Sequence, residues 1–206
     1  MRRALKPGLI APALLLAQAQ AADAHIVAIR LGDFYAGALH PLTDLQDVLL
    51  WLAIGLLAGS LGALRGRWLV LVFPIGLLAG LALGERIGAI AANPAVDAVI
   101  AVVLGLLLAA AARVPTILLC VMAFAMAVLR GAANASDLAP KTDRLLFASG
   151  LACAGYAAIT LIMALTLAFR GPLADSSKAW RGIALRALGG WIAAIGLMMA
   201  GFAFAS

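Results

Sequence analysis

Residues 40–50, HPLTDLQDVLL, are the one stretch of the 206-residue chain where ionisable side chains run directly into a long apolar segment. Pro41 suits the first turn of a helix, where its missing N–H is not needed, and Thr43, Asp44 and Asp47 favour the positive end of the helix dipole. The pattern predicts a helix starting near residue 41. On that helix His40, Asp44 and Asp47 fall at i, i+4 and i+7, so one imidazole and two carboxylates share a stripe. Such a stripe is either a polar, cation-attracting site at a membrane surface or ordinary capping of a helix start, and the spacing allows both.

Other chemistry is sparse. Cys120 and Cys153 both lie in apolar runs, where lone thiols act as small hydrophobes, and there is no CxxC motif. Met122, Met126, Met163, Met198 and Met199 with Cys120 offer soft donors for Cu(I), but methionine in apolar helices is chiefly packing. No phosphate loop and no nucleophile with a placed base is present, so an enzyme is not expected.

The elements that must hold the stripe follow from composition. With 66% hydrophobic and 12% charged residues and a mean hydropathy of +1.11, the chain carries more apolar surface than a soluble domain of this size can bury. The fold class is therefore an all-α polytopic membrane helix bundle. The net charge of +6 would point to nucleic acid in a soluble protein. Here membrane orientation accounts for much of it, and no nucleic-acid partner is expected.

Residues 1–24 combine a basic start (Arg2, Arg3, Lys6), a short apolar core and the small-residue end Ala22-Asp23-Ala24, the pattern of a cleaved signal peptide. Residues 25–40 form a short exported segment, and 41–206 a domain of six transmembrane helices, at roughly 41–63, 68–84, 95–112, 115–130, 144–169 and 182–204. Arg65-Gly66-Arg67, Gly84-Glu85-Arg86, Asn93-Pro94, Arg113-Val114-Pro115, the run 134–143 and the run 171–178 read as separators. The third and fourth segments are joined so tightly that a helical hairpin is expected. If the signal is removed, Arg65, Arg67, Arg113, Arg170, Lys178, Arg181 and Arg186 face the cytoplasm with one acid, Asp175. The acids Asp33, Asp44, Asp47, Glu85, Asp97, Asp137 and Asp143 then lie outside, as the positive-inside rule requires. Both the mature N-terminus and the C-terminus come out on the exterior.

At this point the residues resemble a known family. The signal, the exported segment ending in HPLT at the head of the first span, six spans and a length near 200 are similar to the HupE/UreJ family of bacterial nickel and cobalt permeases, which implies the bacterial inner membrane. The family's first motif, HPLTGLDHLL, is matched by His40, Pro41, Leu42, Thr43, Leu45 and Leu49, with Asp44, Gln46 and Asp47 standing where the motif has Gly, Asp and His. A second motif resembling FHGYAHGAE falls on residues 129–137, keeping Gly131, Ala133 and an acid at Asp137 but replacing its two histidines by Arg130 and Asn134.

The resemblance implies a secondary permease for a divalent transition-metal cation, Ni²⁺, Co²⁺ or a harder ion, with no permanently bound cofactor. In that reading His40, Asp44, Gln46 and Asp47 form the external metal site, with Asn134 and Asp137 opposite at the same mouth. The alternative is a non-transporting membrane subunit or interaction protein on the same scaffold, working with a membrane partner or a second copy of itself. In it an Asp47–Arg130 ion pair takes the place of the metal, since a charge within a membrane needs a partner.

Overall fold

The computed structural model of the chain describes residues 22–112, 114–136, 138–171 and 179–205, and all regular structure among them is helical. The helices are α1 (Ala22–Thr43), α2 (Leu45–Leu61), α3 (Ala63–Ala91), α4 (Pro94–Ala109), α5 (Thr116–Ser136), α6 (Arg144–Arg170) and α7 (Ala179–Ala205). The expected signal segment lies outside the described residues except for Ala22-Asp23-Ala24, which open α1.

The helix expected to start near residue 41 starts instead at Leu45. His40 and Pro41 belong to the end of α1, where Thr43 Oγ1 donates to the His40 carbonyl at 2.8 Å. Asp44 is extended (φ −92°, ψ 115°), and its Oδ1 accepts from the Gln46 N–H at 2.8 Å. A carboxylate cap satisfies an orphan N–H of α2, which Pro41 cannot do, so Asp44 fixes the boundary. The chain bends by 81° there, so His40 and Asp47 sit on different helices and the three-residue stripe does not form.

Among the described residues four helices are long and apolar enough to cross a membrane: the Ala63–Gly84 part of α3, α5, α6 and the Trp180–Ala205 part of α7. The bent pair of Gly32–Thr43 and α2 makes a fifth if it counts as one span. α4, where another full span was expected, has 16 residues and rises about 24 Å, short of the roughly 30 Å of a hydrocarbon core. Three expected separators are helical. Arg65-Gly66-Arg67 lies in the first turns of α3, the chain breaking earlier at Gly62. α3 runs on through Gly84-Glu85-Arg86 to Ala91, and α5 runs through Asn134 to Ser136, because glycine or polar residues alone do not end a helix.

The expected hairpin of the third and fourth segments is also absent. α4 packs chiefly on α7 and α5 on α3, while α1 lies along α6. Each of these pairs is closed by glycines set against the backbone of the facing helix. A Cβ on Gly80 would meet the Val128 carbonyl, and one on Gly131 the Leu77 carbonyl; Gly37 and Gly150 stand likewise between α1 and α6, and Gly105 and Gly189 between α4 and α7. Where lipid tails compete equally for apolar surface, backbone approach of this kind decides which helices pair. α2 is the hub. It touches α1, α3, α4, α6 and α7, and Leu50, Trp51, Ile54 and Leu57 are buried along it, with Trp51 edge-on to Phe73 at 5.6 Å.

Candidate functional site

Asp47 sits in the first turn of α2, which the Asp44 cap positions, and is 1% exposed. Asp97 lies likewise in the first turn of α4. There Asn93 caps the helix through its Oδ1, which accepts from the Ala95 N–H at 2.9 Å, and Pro94 stands at the start. It too is 1% exposed. From α5, Arg130 and Asn134, one turn apart, project into the same place and are also buried.

These side chains make one cluster. Arg130 Nε donates to Asp47 Oδ1 at 2.6 Å, Nη1 to Asp97 Oδ2 at 2.7 Å and Nη2 to Asp44 Oδ2 at 2.7 Å. Asn134 Nδ2 donates to Asp47 Oδ2 at 3.1 Å and to the Arg130 carbonyl at 2.7 Å. A guanidinium is planar, permanently charged and rich in donors, so it can hold a different carboxylate on each nitrogen. Three ionised carboxylates about one guanidinium leave a formal charge of −2. Among the described residues Asp97 Oδ1 and Asn134 Oδ1 are buried without a hydrogen-bond partner. The arrangement is therefore one guanidinium ringed by three carboxylates, with two buried acceptor oxygens to spare.

The structure brings Asp47, Arg130 and Asn134 into mutual contact, three of the four positions at which the motifs of the similar family carry histidines, the fourth being His40. It adds Asp44 through its carboxylate. Gln46 takes part through its backbone N–H. His40 stays at the end of α1, half-buried, with its ring 6.2 Å from that of Phe147. Asp137 lies outside the described residues. Among those described, no group of three or more His, Cys, Asp and Glu side chains could hold a metal ion. In the sequence Asp97 reads only as one of several exterior acids, and the structure alone assigns it to the cluster. An acid in the first turn of an otherwise apolar helix is the signal that marks it.

A family model described as HupE / UreJ protein matches residues 13–199. No curated protein and no solved structure matches the chain.

Proposed function

The chain belongs to the HupE/UreJ family, and from that premise we propose that it is a member in which Arg130 has become a resident cation, leaving a non-transporting membrane subunit or interaction protein. The family is associated with nickel and cobalt transport and is a family of membrane transporters and accessory proteins rather than enzymes. The observation that carries the reading is the position of the Arg130 guanidinium, bonded to Asp44, Asp47 and Asp97 together. A transition metal binding at Asp47 would have to displace a charge-assisted network and then share the site with a positive charge. The imidazoles that suit Ni²⁺ are missing from positions 47, 130 and 134.

In the same proposal the bent pair, α3, α4, α5, α6 and α7 make six spans in the bacterial inner membrane behind a signal of residues 1–24, α4 being a short span seated along the full-length α7. Support for the orientation comes from charge: Arg65, Arg67, Arg170, Arg181 and Arg186 lie toward the end remote from Asp47, which then faces the cytoplasm.

One observation favours the second reading, a permease for a divalent cation. The formal −2 of the cluster and the two unpartnered oxygens are what a passing cation would use, with His40, Asp44, Gln46 and Asp47 at the external mouth and Asn134 and Asp137 opposite. Uptake by cells expressing wild type or Asp47→Ala separates the two, using Ni²⁺, Co²⁺, Mn²⁺, Fe²⁺ and Zn²⁺. Uptake at background for every ion, in a protein shown to be inserted, is the expected result. Uptake of any ion that Asp47→Ala abolishes would replace it with the permease reading.

A further inference from the structure

At the end of the bundle remote from Arg130, a cavity of about 290 Å³ opens between the last turns of α2, α4 and α6 and the first turns of α3 and α7. Its walls are apolar, among them Leu57, Leu61, Leu107 and Leu185, except for Ser60 and three arginines, Arg65, Arg170 and Arg186. No carboxylate stands among the described residues that line it.

Two of the arginines are held by helix ends. Arg170 Nη1 donates to the carbonyls of Gly59 at 3.2 Å and Ser60 at 2.5 Å, and Arg186 Nε donates to the Ala109 carbonyl at 2.8 Å. Those carbonyls close α2 and α4, where the last turn lacks intrahelical donors and carries the negative end of the dipole. Each bond engages one nitrogen of a group that has three nitrogens and five N–H donors. The helix ends therefore fix two guanidiniums beside a cavity and do not supply a counter-charge for three.

We propose that this cavity binds a phosphate group, as the headgroup of an anionic phospholipid or as a free phosphate. Guanidinium forks match the oxygens of a phosphate in pairs, which a single ammonium cannot do. The volume is near the lower end of the roughly 300–1,000 Å³ typical of small-ligand sites. Leucine walls beside the arginines suit a headgroup whose glycerol continues into acyl chain, the recognition made by basic pockets between membrane helices. The site is independent of whether Arg130 has replaced a metal. If the arginines served only as interfacial anchors, exchanging the anion for a neutral headgroup would change nothing.

Native mass spectrometry of the full chain in detergent tests this with phosphatidylglycerol, diacylglycerol of the same acyl chains, and inorganic phosphate. Phosphatidylglycerol is expected to bind in preference, and Arg65→Gln with Arg186→Gln to weaken it about tenfold or more. Arg67→Gln, whose guanidinium stacks on Trp68 at 5.2 Å away from the cavity lining, should leave it unchanged. Displacement of the lipid by millimolar inorganic phosphate would assign the site to phosphate itself; retention would assign it to the lipid. Arg65→Gln alone leaves the helix-end bonds of Arg170 and Arg186 in place, so its weaker binding cannot come from their loss. Equal retention of the two lipids without phosphate binding, or unchanged affinity in the folded single and double variants, overturns the proposal.

Discussion

Arg130 Nε and Asp47 Oδ1 are 2.6 Å apart, across 83 residues of chain, on helices that contribute their most deeply buried charges to this contact. Removing one member of such a pair leaves the other charge buried without compensation, at a cost of about 3–5 kcal/mol. Arg130→Gln should therefore lower the melting temperature of the detergent-solubilised protein sharply. Adding Asp47→Asn should recover part of that loss, as the two changes are coupled. A melting curve of Arg130→Gln that overlays the wild type would remove the cluster from any account of stability.

Asp44 holds two jobs of different size. Its carboxylate reaches Arg130 Nη2 but is 37% exposed, so that ion pair contributes no more than about 1 kcal/mol, whereas the cap on α2 is lost only when the side-chain oxygen is lost. Asp44→Asn is expected to be almost silent in a thermal melt, and Asp44→Ala to cost about 1 kcal/mol. Equal losses in the two variants would show that charge, not capping, matters there.

Restoring imidazoles tests the replaced-site reading from the other direction. Because positions 47, 130 and 134 already touch, Asp47→His with Arg130→His and Asn134→His would assemble three nitrogen donors in one place. Elemental analysis after dialysis against Ni²⁺ should find about one metal per chain in the triple variant and none in the wild type. Nickel retained by the wild type would contradict the proposal directly.

The glycine pairs give a packing prediction with an internal control. A methyl group on Gly131 would run into the Leu77 backbone carbonyl, which cannot rotate away, so Gly131→Ala should cost about 1–3 kcal/mol by forcing α3 and α5 apart. Gly182 meets nothing within 4 Å, and Gly182→Ala should leave the melt within about 1 kcal/mol of wild type. Comparable losses at both positions would mean that helix propensity, not approach distance, governs these sites.

Helix content and the meeting of residues 47 and 130 were legible in the chain because each has a local or motif-level signature. The bend at Asp44 was not. Pro41 and Asp44 both signal a helix start, and only the geometry of the Gln46 N–H decides that the acid prevails. Asp97 was hidden for a related reason: an acid three residues after a proline looks like a response to the helix dipole, and nothing local reveals a guanidinium 33 residues on. The pairing of α4 with α7 rather than with its neighbour α5 is likewise set by Gly105 and Gly189, which lie 84 positions apart and make sense only together.

The order of the charges along the chain has a consequence for biogenesis. Synthesis runs from α1 onward, so the carboxylates of Asp47 and Asp97 are delivered to the bilayer before Arg130 has been translated. A carboxylate buried among apolar helices is costly to keep in a bilayer when nothing neutralises it. Until α5 emerges, the first four helices form an unfinished acidic half-site, and the arrival of one arginine late in translation closes the acidic end of the bundle.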